Sequence, residues 1–224
     1  MKKYAIILAA GKGTRAGIDL PKQFYIINNK PLIIHTIEKF LSIKNIKIIL
    51  VIPKNKIDYW KKISKIYSLH SNIIIVKGGK TRFNSVNNAL EKIKEEGTVA
   101  IHDGVRPFLT VKLIKKLFKN GIQKNNAVPY VNLSDSIRKI NKKTNQNINR
   151  KNYVLIQTPQ VFNISEIKKA YKKNLAYNND KFKDDASVYE TLNKKINLIK
   201  GEDLNFKITS KNDLKIAEYY LSKN

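Results

Sequence analysis

The stretch from Tyr4 to Arg15, YAIILAAGKGTR, decides how the rest of the chain is interpreted. A short apolar run ends abruptly in a segment with two glycines, a lysine and an arginine. This pattern suits a secretion signal, a dinucleotide-binding fingerprint, or a buried strand that leads into a phosphate-binding loop. The apolar core, Ala5 to Ala10, has six residues, whereas the core of a secretion signal usually has about 7–15. The length of the core argues against a secretion signal.

The dinucleotide interpretation has weak support. Gly11, Gly13 and Ala16 satisfy a permissive G-x-G-x-x-[GA] pattern. The full fingerprint also needs an acidic residue about twenty positions later, at the end of the second strand. The nearest candidate, Glu38, lies inside the helix-like stretch HTIEKF, and the second strand-like run ends in ILVIPKN without an acid. The spacing of a Walker A loop is missing too.

The first loop carries cations instead. Lys12, Arg15 and then Lys22 accompany the glycines. Glycine lets backbone N–H groups approach an anion closely, and flanking cations neutralise its charge. Arg15 and Lys22 therefore favour a di- or triphosphate that gains charge during reaction, over an ordinary glycine turn with surface lysines.

Short apolar runs alternate with segments of helical periodicity. Strands are predicted at YAIILAA, IKIILVIP, NIIIVKGG, TVAIHDG and NNAVPYVN. Helices are predicted at PLIIHTIEKFLSI, residues 57–67, a segment beginning NSVNNALEKIKEE, residues 111–120, and KNDLKIAEYYLSK. The alternation predicts an α/β fold in one domain, residues 1–224, with a mainly parallel sheet and helices on both faces. Ligands of such sheets bind at the carboxyl ends of the strands.

One segment departs from this alternation. Residues 133–155 are polar and lack helical spacing. They predict an excursion from the domain, either a hairpin arm or a flexible lid.

The formal charge of +27 raises the question of nucleic-acid binding. Only five of the 44 basic residues are arginine, and the lysines are spread through helix-like stretches. A nucleic-acid footprint would cluster on one face and favour arginine, so we expect a solvated surface and no nucleic-acid partner. The chain has no cysteine, which excludes a disulfide framework and is compatible with the cytoplasm. No apolar run approaches the roughly 18 residues of a membrane span.

Two further loops follow predicted strands. In VKGGKTRFNS, Gly79 allows close approach of a base or sugar, and Ser85 near the next helix start can cap that helix or bind a ligand. In HDGVRPF, Asp103 can take Mg²⁺ or a ribose hydroxyl, and Arg106 can take an anion. We assign His102 no role in proton transfer.

All five arginines lie in or beside predicted loops. The planar guanidinium of arginine can donate two parallel hydrogen bonds to a phosphate, which the ammonium of lysine cannot do. The use of arginine at these positions, in a chain that otherwise prefers lysine, indicates two anionic groups to be bound.

Six stretches occur in the order seen in one enzyme family: AAGKGTR with PKQ, GGKTRFNSV, HDGVRPF, DSIRK, QTPQVF and GEDLNFKIT. In these stretches the chain resembles the 2-C-methyl-D-erythritol 4-phosphate cytidylyltransferases, from Ile6 to about Tyr219. The resemblance implies a Rossmann-like nucleotidyltransferase fold with a protruding arm that makes a homodimer. It also implies Mg²⁺-dependent reaction of CTP with methylerythritol 4-phosphate, releasing pyrophosphate.

The resemblance further implies roles for individual residues. Arg15 and Lys22 would stabilise the transition state, and Asp103 would lie at the ribose and Mg²⁺. The residues implied at the sugar phosphate are Arg150, Lys207, Arg106 and Ser136. Those implied at the cytidine nucleotide are Ala9, Ala10, Gly11, Gly13, Gly79, Ser85 and Gly104. The arm with Ser136 and Arg150 would complete the neighbouring subunit's site.

The chain departs from the family pattern at two places, and the second bears on the acceptor. The family often has threonine where Ser136 stands, and HDGVRP replaces a commoner alanine pair with Gly104 and Val105. A sister family that acts on ribitol 5-phosphate also has valine before the arginine of this motif. Ribitol 5-phosphate is therefore the alternative acceptor. A basic nucleic-acid-binding protein and an NAD-dependent oxidoreductase are the remaining alternatives.

Overall fold

A computed structural model describes residues 1–11, 21–69, 73–141, 143–176 and 182–222. In chain order these residues form β1 (Lys2–Leu8), β2 (Ile26–Ile27), β3 (Lys30–Pro31), α1 (Leu32–Leu41), β4 (Ile46–Ile52), α2 (Ile57–Ile66), β5 (Ile73–Lys77), α3 (Arg82–Leu90), β6 (Gly97–Asp103), α4 (Val111–Lys124), β7 (Asn126–Asn132), β8 (Ile137–Ile140), β9 (Asn145–Ile148), β10 (Val154–Ile156), β11 (Gln160–Asn163), α5 (Ile164–Lys173), α6 (Asp185–Tyr189), β12 (Leu198–Lys200) and α7 (Lys211–Ser222).

The main sheet has the strand order β10-β7-β11-β6-β1-β4-β5, and β12 pairs with β7. β1 pairs in parallel with β6 and β4, and β4 pairs in parallel with β5. β11, which contains part of the QTPQVF stretch, runs antiparallel to β6 and β7. The predicted α/β fold with a mainly parallel sheet is confirmed. The carboxyl ends of β1, β4, β5 and β6 meet at one edge, where ligands of such sheets bind.

Two apolar clusters lie on opposite faces of this sheet, because successive side chains of a strand alternate. On one face, Ile7 and Leu50 pack with residues of α1, α2 and α4. On the other, Ile6 and Val51 pack with residues of α3, α5 and α6. Both faces of β1 and β4 are therefore buried. This double burial explains why these strands are continuous apolar runs rather than alternating ones.

Two helices differ from their predicted lengths. α3 begins after Thr81, whose side chain accepts a hydrogen bond from the backbone N–H of Asn84, and it ends at Leu90. Tight turns then bring Ile93 into the core with no exposed surface, so the rest of EKIKEE is not helical. α4 continues to Lys124 and stops where Asn125 adopts a left-handed φ of 64°. Among the described residues, no helix combines the length and apolarity that membrane spanning requires.

The polar segment predicted as an arm or lid contains a hairpin. β8 and β9 pair with each other in antiparallel register, from Ile137 opposite Ile148 to Ile140 opposite Asn145. They form a two-stranded sheet of their own. The chain returns to the main sheet through β10, which pairs with β7. Of the two alternatives, the hairpin is what the structure shows.

Candidate active site

A cavity of about 480 Å³ opens at the carboxyl edge of the parallel strands. It lies among the loops that follow β1, β5 and β6. Its lining includes these residues predicted from the sequence: Ala9, Ala10, Gly11, Lys22, Gly79, Ser85, Asp103 and Lys207. Gly13 and Arg15 lie outside the described residues. Three loops that are far apart in the sequence thus meet around one space.

The described part of the first loop is held by Gln23, for which the sequence predicted no role. The Gln23 side chain is buried, and its amide nitrogen donates to the carbonyls of Ala9 at 2.7 Å and Gly11 at 3.2 Å. Gln23 belongs to a short 3-10 turn that starts at Lys22. The turn that anchors the glycine loop therefore also carries the predicted catalytic lysine, which lines the cavity.

Ser85 holds the second glycine loop. Its hydroxyl accepts a hydrogen bond from the backbone N–H of Gly79 at 3.0 Å and donates to the Thr81 carbonyl at 2.9 Å. The capping role considered for Ser85 is wrong, because Thr81 caps α3. A Cβ at Gly79 would lie 2.4 Å from the Cβ of Asn84, so only glycine fits this close approach.

Asp103 is the centre of a group of cations. Its carboxylate lies 2.9 Å from Nζ of Lys207, 3.5 Å from Nε of Arg106 and 3.7 Å from Nε of Arg82. Burial alone would raise the pKa of Asp103, but Arg82, Lys207 and Arg106 together hold that pKa well below its usual range. The carboxylate is therefore ionised, and more positive than negative charge surrounds it. Such a site attracts a further anion.

Arg82 and Asp185 form an ion pair that the sequence did not predict. The guanidinium donates to both carboxylate oxygens of Asp185, at 2.9 and 2.6 Å, and Asp185 is fully buried. The hydroxyl of Tyr171 donates to the same carboxylate at 2.7 Å. Arg82 lines the cavity, so this pair fixes a cation in its wall. Two features of the sequence could have indicated this ion pair: the use of arginine in GGKTRFNSV and the acidic stretch DDAS.

The residues fit Mg²⁺ only in part. Among the described residues that line the cavity, Asp103 alone carries a carboxylate, and no group of three or more His, Cys, Asp or Glu side chains is arranged for a metal in the described ranges. Mg²⁺ is usually bound through one or two carboxylates together with substrate phosphates. Asp103 therefore suits a metal that arrives with a triphosphate.

Gly104 has a packing role instead of lining the cavity. Its backbone N–H donates to the Leu8 carbonyl at 2.9 Å, and its carbonyl accepts from Oγ1 of Thr36 at 3.1 Å. A Cβ there would lie 2.6 Å from Cδ1 of Ile33. Close packing of the end of β6 against α1 accounts for the glycine, and the nucleotide contact at Gly104 stays a prediction. The neighbouring Val105 does line the cavity.

His102 is fully buried beside Asp103. Burial lowers its pKa to about 3, outweighing the opposite effect of the Asp103 charge. The imidazole is therefore neutral at ordinary pH.

The arm residues are not part of the cavity lining in one chain. Ser136 and Arg150 are both exposed, and Arg150 donates to the backbone carbonyl of Ser134 within the arm. Arg106 does not line the cavity either, but it contacts Asp103, which does line the cavity. The single chain thus brings Ala9, Ala10, Gly11, Gly79, Ser85 and Asp103 around one cavity, and it does not bring the two arm residues to them.

Comparisons with known proteins agree with these motifs. The family model described as IspD, 2-C-methyl-D-erythritol 4-phosphate cytidylyltransferase, matches residues 4–223. A relative of that name from Phocaeicola vulgatus is 39% identical over 219 residues, covering 97% of this chain and 99% of its own. One from Clostridium perfringens is 38% identical over 234 residues, with coverages of 98% and 99%.

A solved structure shows the same fold. The 4-diphosphocytidyl-2C-methyl-D-erythritol synthase of Anaerococcus prevotii superposes with a TM-score of 0.85 at 30% identity, covering 99% of this chain and 96% of its own. Sequence and fold thus agree over nearly the full length. The chain belongs to the 2-C-methyl-D-erythritol 4-phosphate cytidylyltransferase family.

Proposed function

We propose that this protein transfers a cytidylyl group from CTP to 2-C-methyl-D-erythritol 4-phosphate and releases pyrophosphate. The observation that carries the proposal is the cavity itself, in which glycine-loop backbone and the cations Lys22, Arg82 and Lys207 surround one space. Backbone suits a nucleotide, and the cations suit two phosphorylated reactants. Membership of the family supplies the identity of the substrates.

The chemistry needs no nucleophilic side chain. A phosphate oxygen of the acceptor attacks the α-phosphorus of CTP, a new O–P bond forms, and the bond to the β-phosphate oxygen breaks with its electron pair leaving on pyrophosphate. The attacking oxygen is already anionic, so no general base is required. Catalysis then consists of positioning the reactants and stabilising charge. Lys22 and Arg15 are the residues we propose for charge stabilisation.

On the nucleotide side, backbone groups carry most of the proposed contacts. Gln23 and Ser85 fix the loops on which Ala9, Gly11 and Gly79 lie. Ala10 and Gly13 belong to the same proposed surface. Loops held by buried side chains present their backbone to the base in a fixed geometry, and preorganisation lowers the cost of binding.

Mg²⁺ is the proposed cofactor. When bound, it offsets the negative charge of the phosphates that must approach each other. Asp103 would contribute one oxygen ligand, and the triphosphate would supply others. Lys207 lies 2.9 Å from the same carboxylate and is a cation that we propose for the acceptor phosphate.

On the acceptor side, we propose that two subunits share the site. Arg106 and Lys207 stand near Asp103 in one chain, while Ser136 and Arg150 lie on the arm. Large apolar side chains are exposed on and beside this arm: Ile140, Tyr153, Leu155 and Ile156 are 79%, 49%, 54% and 37% exposed. A second copy that covers them would bury apolar surface, which favours association. A homodimer of single-domain subunits would thereby complete each site.

The test is pyrophosphate release by the purified protein with CTP and Mg²⁺, with methylerythritol 4-phosphate and ribitol 5-phosphate offered separately. We expect turnover with the first acceptor. Val105 lines the cavity and is the feature shared with the ribitol 5-phosphate enzymes. A preference for ribitol 5-phosphate would therefore move the protein to that activity, and no turnover by folded protein with either acceptor would refute the proposal.

A further inference from the structure

Four residues close a ring of hydrogen bonds beside the cavity. Nε2 of His102 lies 3.2 Å from the Arg106 carbonyl, and Nη1 of Arg106 donates to the Asn205 carbonyl at 2.8 Å. Nδ2 of Asn205 donates to the Thr158 carbonyl at 2.8 Å. Oγ1 of Thr158 lies 2.9 Å from Nδ1 of His102, which completes the circuit. We call His102, Arg106, Asn205 and Thr158 the loop-linking ring.

The chemistry of the partners fixes the direction of each bond. A carbonyl oxygen only accepts, so Nε2 of His102 carries the proton and donates to Arg106. In the neutral imidazole Nδ1 is then an acceptor, and the Thr158 hydroxyl donates to it. The same hydroxyl accepts from the backbone N–H of Asp103 at 3.1 Å. The ring therefore holds the backbone of Asp103 as well as the side chain of Arg106.

The ring is buried, which makes its bonds hard to replace. His102 and Asn205 have no exposed surface, and Thr158 is 5% exposed. A buried polar group that loses its partner keeps the cost of its desolvation. Each member is thus constrained to the partners that the ring supplies.

The ring joins three segments that come from distant parts of the sequence. His102 and Arg106 belong to HDGVRPF, Thr158 belongs to QTPQVF, and Asn205 belongs to GEDLNFKIT. A backbone bond from Ile208 to the Val105 carbonyl, 3.0 Å long, ties the third segment to the first. Asp103, Arg106 and Lys207, the charged groups proposed for metal and acceptor phosphate, lie on or within two residues of the ring.

We infer that His102, Thr158 and Asn205 are positioning residues, which set Asp103, Arg106 and Lys207 at fixed distances for the acceptor phosphate. The ring orients Arg106, whose Nε lies 3.5 Å from the Asp103 carboxylate and has no hydrogen-bond partner among the described residues. This inference rests on the proposed function and assigns the positioning part of that same site.

Thr158→Val tests the inference, with Thr158→Ser as the matched control that retains the hydroxyl. Valine leaves Nδ1 of His102 and the N–H of Asp103 without their partner. We expect kcat/KM for the acceptor to fall about 10²-fold, the scale of a small misplacement of reacting groups. The affinity for CTP, measured by calorimetry without acceptor and without Mg²⁺, should change less than about threefold, because the ring makes no described hydrogen bond to Ala10, Gly79 or Ser85. Thr158→Ser should recover most of the loss.

The outcomes separate a positioning role from a purely structural one. Thr158→Val protein that is less stable but keeps wild-type kcat and KM would overturn the inference, as would an equal loss in CTP affinity and acceptor kcat/KM. Wild-type protein is assayed alongside. If it does not transfer the cytidylyl group, the proposed function itself fails; if it does, a result with the variant bears on the inference alone.

A second measurement needs no activity and leaves the ring residues unchanged. Long-range ¹H–¹⁵N spectra of the wild-type imidazoles distinguish the two neutral tautomers. The signal of His102 can be separated from those of the other two histidines by their own substitutions. We expect the proton of the His102 imidazole on Nε2. A proton on Nδ1 would contradict the hydrogen bonds of the loop-linking ring and overturn the inference.

Discussion

The two ends of β1 each have a carboxylate among cations, in different surroundings. At the carboxyl end, Asp103 lies beside Leu8 in the sheet register and contacts Arg82, Arg106 and Lys207; its side chain is 11% exposed. At the amino end, Glu95 contacts Lys47 at 2.8 Å and Lys2 at 3.5 Å, and its side chain is 39% exposed. Tyr4 also donates to Glu95.

Burial decides what each of these two clusters can do. Around Glu95, water screens the charges, so the cluster contributes little to stability and attracts anions weakly. Around Asp103, water is largely excluded, so loss of one partner leaves the others uncompensated. The buried end also uses arginine, whose planar fork holds fixed geometries. In a chain with 44 basic residues, burial distinguishes the Asp103 cluster more than the number of its charges does.

The largest expected effect is on stability. Asp103→Asn should lower the free energy of unfolding by about 3–5 kcal/mol, because Arg106 and Lys207 lose their buried counter-charge while Arg82 keeps Asp185. Denaturant unfolding measures it, with Glu95→Gln as the matched control at the other end of β1. A larger loss in the control than in Asp103→Asn would reverse the comparison.

The next effect is on turnover. Lys22→Ala should reduce kcat by 10²–10³-fold, the typical result of removing a donor that stabilises transition-state charge, about 2.7–4 kcal/mol. Arg15→Ala should act in the same way. Lys112→Ala, an exposed lysine on α4, is the control and should leave kcat unchanged. Near wild-type turnover in both Lys22→Ala and Arg15→Ala would show that the buried edge binds substrate without stabilising the transition state.

A moderate effect is expected on acceptor binding. Arg150→Ala should raise KM for the sugar phosphate by roughly 10–100-fold, as a charge-assisted hydrogen bond of about 1.5–3 kcal/mol is lost, and change KM for CTP far less. Arg138→Ala in the same hairpin is the matched control, since Arg138 bonds to Asn145 within the arm. Equal increases in both KM values would contradict a separate acceptor pocket.

Mixing subunits sharpens this prediction. If the arm completes the partner's site, dimers with one Lys22→Ala and one Arg150→Ala subunit contain one intact site and one doubly altered site. Random reassociation of equal amounts should then restore about one quarter of wild-type activity. Activity that stays at the average of the two pure variants would mean that each chain uses its own arm.

The smallest effect concerns pH at the exposed end. Hydrogen bonds from Lys47 and Tyr4 outweigh burial and lower the pKa of Glu95 to about 2, from an ordinary value of 4.5. Because the folded-state pKa is the lower one, the stabilisation is present above pH 4.5 and is lost as pH falls towards 2. Wild type should therefore be slightly more stable than Glu95→Gln at pH 6, with the difference gone at pH 2. A difference that persisted at pH 2 would contradict this titration.

The architecture and most of the cavity lining could be predicted from the sequence. Apolar runs such as Ile46–Ile52 are buried on both faces, and a strand of that kind requires helices on both sides. Parallel strands bring their carboxyl ends to one edge, so residues after them, such as Gly11, Gly79 and Asp103, were expected to meet. Their order along the chain also carried the family resemblance, which the comparisons confirmed.

The polar side chains that hold these loops in place could not be predicted from the sequence. Gln23, Asp185 and Asn205 bond to partners 12 to 103 positions away in sequence, and no local periodicity encodes such distances. The packing of Gly104 against Ile33 of α1 is likewise visible only in the structure. A hydrogen bond depends on atoms within about 3 Å, and that proximity exists only after the sheet has brought the loops together.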